Sequence, residues 1–98
     1  MPDTSFAEFE ATARAEGFDE VLVREWRPDQ VIDTHVHPFA IKALVVAGEF
    51  RLVESEHTRL IRAGEAFELA RDVPHAEHYG PEGATFWVAR RHKASAAD

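Results

Sequence analysis

From Gly17 to Arg91 the chain is a succession of short runs rich in strand-forming residues, with only a few residues between one run and the next. The runs are V-L-V-R-E-W from Val21, V-I-D-T-H-V-H from Val31, I-K-A-L-V-V-A from Ile41, E-F-R-L-V from Glu49 and T-R-L-I from Thr58. A-F-E-L-A from Ala66, V-P-H-A-E-H-Y from Val73 and A-T-F-W-V-A-R from Ala84 complete about seven or eight strands. The breaks are R-P-D, Gly48, E-S-E-H, A-G-E, R-D and G-P-E-G, all turn-forming in composition. Parallel strands need crossovers of a dozen residues or more, and none of these gaps is that long. The chain must therefore fold as an antiparallel sandwich or barrel, with E-F-R-L-V and T-R-L-I paired as a hairpin.

A helix precedes the strands. Ser5 with Glu8 forms a capping box, Phe6, Phe9 and Ala13 lie on one helical face, and Gly17 is a natural stop. This gives a helix over about 5–16 that covers part of the sheet, a barrel over about 20–91, and an apolar-poor tail at 92–98 that reads as frayed. All 98 residues form one domain.

Charge and composition narrow the partners. A formal charge of −7 and a pI near 5.3 disfavour nucleic acid and anionic membranes, which require a basic face. No apolar run approaches the roughly 18 residues of a membrane span, and the acidic N-terminus lacks the order of a secretion signal. With no cysteine, any bound metal must use His, Asp, Glu or water. These features fit a cytoplasmic protein.

The stretch D-T-H-V-H-P-F, Asp33 to Phe39, carries the first chemical signal. Side chains two apart on a strand point the same way and sit about 7 Å apart at the backbone, so His35 and His37 can bite one ion. Asp33 shares their face if the strand extends back to it. Further on, His75, Glu77 and Tyr79 share a strand face, and His78 points away.

Together these stretches resemble the two motifs of the cupin superfamily. The first motif is H-x-H, a glutamate three or four residues later, and a glycine; the second is a glycine, a strand, a P-x-G-like turn and a histidine. H-V-H-P-F-A-I-K-A-L-V-V-A-G (His35–Gly48) is similar to the first, and G-E-A-F-E-L-A-R-D-V-P-H (Gly64–His75) to the second. The resemblance spans about Val31 to Arg90. It implies an all-β, antiparallel double-stranded β-helix (jelly-roll) barrel, often a homodimer, whose mouth holds a metal on His35, His37 and His75. The sequence departs from the pattern where Ile41 or Lys42 occupies the glutamate position, since neither is an ordinary ligand. Ala70-Arg71-Asp72 replaces the turn, and Tyr79 stands where asparagine is common.

Two functional readings follow. In one, the three histidines hold a divalent transition metal (Fe, Ni, Zn, Mn or Cu; Mg and Ca prefer oxygen ligands), with Glu77 or Asp33 restoring a carboxylate. The resemblance then implies dioxygenase- or isomerase-type chemistry on a small anionic or oxygen-rich molecule, with Glu77 or Tyr79 as proton carrier. In the other, the lost glutamate means lost metal, and the barrel binds or senses a small organic ligand without turnover.

The remaining residues read more plainly. Lys42 is expected to face solvent, and Phe39, Phe67, Phe86 and Trp87 to fill the core, one or two of them lining the pocket. Trp26 is assigned to a subunit contact, and His57 and His92 to solvated positions. No nucleophile elbow or phosphate-binding loop is present, which disfavours hydrolases of that kind and nucleotide binding.

Overall fold

The structure is a computed structural model that describes residues 4–93. Helix α1 (Phe6–Ala15) is followed by strands β1 (Glu20–Trp26), β2 (Val31–His35), β3 (Ala40–Glu54), β4 (His57–Arg62), β5 (Ala66–Leu69) and β6 (His75–Arg91). Every strand pairing is antiparallel.

Two long strands organise the molecule. β3 and β6 pair along most of their length in one connected six-stranded sheet, and each contributes to both of its halves, the first and second sheet of the barrel. In the first sheet, β1 and the first half of β3 flank the last part of β6, and β5 lies outside β3. In the second, β2 and the end of β3 flank the first part of β6, with β4 outside β3. The inward faces enclose a core that includes Val45, Phe50, Leu52, Phe67, Tyr79, Phe86 and Val88.

The strand count differs from the sequence expectation because Gly48 and Gly80–Gly83 are bulges inside strands, not ends of strands. The β3–β6 register shifts on both sides of Gly48, and between Gly48↔Ala84 and Phe50↔Tyr79 β6 carries three residues more than β3. Gly48 and Gly83 both adopt positive φ, 73° and 68°. A Cβ on Gly48 would stand 2.0 Å from the Gly83 carbonyl oxygen, and one on Gly83 would stand 2.2 Å from that of Trp26. Only glycine lets the two spines cross this closely while bending from one sheet into the other.

The helix forms as its sequence dictates. Ser5 Oγ accepts from the Glu8 amide at 3.1 Å, and the Ser5 amide donates to Glu8 Oε1 at 3.0 Å. Its apolar side, Phe9 and Ala13, packs with Phe18 and Ala89 on the outer surface of the first sheet, against Leu44 and Trp87. The central part of β3 is therefore covered on both faces, Ala43 and Val45 inward and Leu44 beneath the helix. Lys42, on the helix side, pairs with Glu16 just past the end of α1 at 2.6 Å. At the other end of the barrel sequence, the amides of His92 and Lys93 donate to the Asp19 carboxylate. Residues 94–98 of the tail lie outside the described residues.

Candidate metal centre

β2 and the start of β6 lie side by side, with His35 opposite His75. His37, two residues past His35 in the connecting segment, joins them on the same side. A ligand nitrogen from each of His35, His37 and His75 lies within 4.8 Å of the other two. His35 Nε2 and His37 Nε2 are 3.2 Å apart. Two nitrogens bound to one ion at about 2.0–2.1 Å would stand roughly 2.9–3.4 Å apart at octahedral to tetrahedral angles, so this spacing fits a shared cation.

The rings are aimed by their other nitrogens. His35 Nδ1 donates to the Asp33 carbonyl at 2.8 Å, and His75 Nδ1 to the Val73 carbonyl at 2.9 Å. Both bonds select the tautomer whose Nε2 lone pair faces the cluster, the arrangement typical of metal-ligating histidine. Asp33 thus serves through its backbone, and its exposed side chain is not part of the cluster. His37 is held by stacking on Phe39, ring centroids 4.7 Å apart. Burial, reinforced by the neighbouring His35 and His75 and by Arg90 and Arg24, pushes its pKa down to about 4. At neutral pH it is uncharged, as a ligand must be.

The structure also supplies a carboxylate. On β6, Glu77 lies opposite Leu52 of β3 and points inward among apolar neighbours. It is only 8% exposed. Its Oε2 stands 3.5 Å from His35 Nε2 and 3.6 Å from His75 Nε2. Its other oxygen, Oε1, accepts a short hydrogen bond from the Tyr79 hydroxyl. Burial first, and then the Glu77 charge, push the Tyr79 pKa upward, so the phenol stays protonated and acts as a donor. The Tyr79 ring is clamped between Trp26 and Phe50, with centroids 5.0 and 5.2 Å away and both pairs 15° from parallel. Trp26 accordingly packs against the barrel core; the V-L-V-R-E-W alternation places it in phase with the inward Leu22.

The two residues at the glutamate position of the first motif are resolved by this geometry. Ile41 faces the pocket and adds an apolar wall, and Lys42 faces outward to Glu16. In the second motif Asp72 adopts φ +62°, a conformation tolerated by aspartate, and its amide donates to the His37 carbonyl at 2.9 Å. The turn that usually needs glycine is kept, and it braces the His37 segment. His78 is exposed, as its phase requires. His92 is exposed but tied to Glu20 at 2.7 Å, and so is less free than its place near the chain end implies.

The pocket has a volume of about 130 Å³, below the roughly 300–1,000 Å³ typical of sites for drug-sized ligands. Phe67 and Phe86 line it, as do Trp26, Arg24 and Arg90. The two arginines escaped the sequence reading. Arginine on a strand ordinarily faces solvent, and the only signal for Arg24 was its phase with Leu22 and Trp26.

In sequence, no family model and no curated protein matches the chain. In structure it is similar to a conserved protein with a double-stranded β-helix domain from Klebsiella pneumoniae, with TM-score 0.67, 24% identity, and coverage of 81% of this chain and 72% of that one. It is also similar to the cupin domain of Schizosaccharomyces pombe Cnp3, with TM-score 0.68, 12% identity, and coverage of 78% and 57%. A third similar structure is the polyketide cyclase RemF from Streptomyces resistomycificus, with TM-score 0.64, 25% identity, and coverage of 82% and 60%. The chain has the double-stranded β-helix fold of the cupins, and it is a small protein built on a single such barrel with three histidines able to hold a metal ion. It spans little more than half the length of the Cnp3 domain and of RemF.

Proposed function

We propose that the chain is a small metal-dependent cupin whose ion is held by His35, His37, His75 and Glu77. Glu77, on β6, takes the place of the carboxylate that the cupin pattern puts on β3. The observation that carries this reading is the gathering of three imidazole nitrogens within 4.8 Å of one another, with Glu77 Oε2 3.5 and 3.6 Å from two of them and both of those imidazoles held by backbone carbonyls. The donor set suits Fe, Ni, Zn, Mn or Cu. When bound, such an ion supplies a Lewis acid for an oxygen of the ligand.

The chain's own residues do the rest. Glu77 offsets part of the ion's charge, and Tyr79 holds that carboxylate in place as a positioning residue. The apolar walls, Ile41 among them, limit water at the centre. The substrate class is a small anionic or oxygen-rich molecule, with dioxygenation or isomerisation as the reaction class, in a cytoplasmic homodimer. The similar fold of RemF, a polyketide cyclase, supports a catalytic reading of this barrel.

Metal analysis of the purified protein, beside His37→Ala and Glu77→Gln variants, tests the reading. About one ion per chain in the parent, little in His37→Ala and weakened retention in Glu77→Gln are expected. No ion in the parent after incubation with Fe(II), Mn, Ni and Zn would overturn it and leave a metal-free pocket for an organic ligand.

A further inference from the structure

The cluster takes up only one side of the pocket. His35, His75 and Glu77 come from the second sheet, whereas Arg24 on β1 and Arg90 on β6 reach the same pocket from the first. Arg24 lies over the Trp26 ring, its guanidinium carbon 4.5 Å from the centroid, and has no hydrogen bond or ion pair among the described residues. Arg90 pairs with Glu20 at 3.3 Å and lies 5.1 Å over Phe39, but its Nε is buried without an acceptor. A buried donor such as Arg90 Nε is costly unless an acceptor arrives, and the half-buried Arg24 guanidinium beside it lines the same pocket. The one carboxylate in the pocket, Glu77, is already engaged by Tyr79 and faces the histidines.

We propose that Arg24 and Arg90 form an anion subsite across the pocket from the histidine cluster, and that the pocket takes a small organic carboxylate docked on these guanidiniums. The planar fork of arginine matches a carboxylate bidentately. The apolar wall between the two sheets accepts a short carbon chain, and the small volume limits the ligand to a few heavy atoms. The inference rests on the pocket being the working site, as the metal reading holds, and it specifies the ligand class of that site. The guanidiniums themselves need no ion to act.

Propionate is the probe, with propionamide as its neutral isostere and inorganic phosphate as the competing oxyanion, at constant ionic strength. Binding is measured by calorimetry on chelator-treated and on metal-loaded protein. Propionate should bind and propionamide should not. Arg24→Gln should weaken propionate binding about tenfold or more, and Arg24→Lys, which keeps charge but not the fork, should fall between. Unliganded melting curves of both variants establish that they fold. Equal binding of propionate and propionamide overturns the proposal, as do unchanged affinity in Arg24→Gln, phosphate binding without propionate binding, and no binding in either form. Arg24-dependent binding in a protein that holds no metal leaves this inference standing and the metal reading fallen; metal retention with Arg24-independent binding reverses that result.

Discussion

Tyr79 shows how much of this site depends on single atoms. Its ring is part of the core, but among the described residues its hydroxyl bonds only Glu77. Replacing it with phenylalanine keeps the stack between Trp26 and Phe50 and removes one donor from a buried carboxylate. An unsatisfied buried polar group costs about 1–3 kcal/mol, and loss of an outer partner of a metal ligand lowers affinity about 10–100-fold. Tyr79→Phe should therefore lower the stability of the metal-free protein in urea denaturation and weaken metal in a chelator competition. Unchanged values in both would reduce Tyr79 to a packing residue. The His35–His37 pair was legible at this scale from strand phase, and His75 from the resemblance of its stretch to the second cupin motif. Glu77 was legible from strand phase, as a residue two past His75. Arg24 and Arg90 were not, because they lie 66 positions apart in the sequence and come to line one pocket only through the β1–β6 pairing.

At the scale of elements, the sequence showed where strands exist but not where two of them are continuous. Gly48 and the G-P-E-G segment carry turn composition, and local composition is the same for a turn and for a bulge within a strand. The difference lies in the partner: Gly48 and Gly83 approach each other from strands that a local pattern cannot pair. The capping box and the hairpin across Ser55–Glu56 were legible because their partners are within a few residues. Gly83 is the element-scale test. Alanine there would hold a positive φ, worth about 1–3 kcal/mol of strain, and its Cβ would overlap the Trp26 carbonyl. Because Trp26 stacks on Tyr79, the displacement should propagate to Glu77. Gly83→Ala should lower the thermal midpoint and weaken metal retention together, whereas Ser5→Ala, at the helix cap on the far side of the sheet, should cost about 0.5–2 kcal/mol with metal retention unchanged. Loss of metal in both variants, or in neither, would contradict the link from the β1–β6–β3 crossing through Trp26 and Tyr79 to the site.

For the whole molecule, the centre joins β2, the 36–39 segment and β6, and β6 is a spine of both sheets. His35 and His37 are neighbours in the chain, but His75 and Glu77 join them only in the folded barrel, so an ion that binds the full set stabilises the entire barrel. At a free concentration one hundred times its dissociation constant, the gain is about 2.7 kcal/mol, on the order of 10 °C in a domain of this size. A single melting transition should move upward as a unit. Acid acts in the opposite direction through His37. Its pKa of about 4 in the fold lies below the usual 6.5, so as pH falls through about 6.5 the unfolded chain takes up a proton that the folded one refuses until about 4. The unfolded state binds more protons throughout that window, and stability must decline across it, being fully present above it. Between pH 7.5 and 4.5 the midpoint of the metal-free parent should fall further than that of His37→Gln, which lacks this proton. Equal declines would mean that His37 is not the group buried in its neutral form. In the metal-loaded protein, protons compete with the ion for the same lone pairs, so the metal-dependent increment should shrink over the acid range and vanish in His37→Gln at every pH.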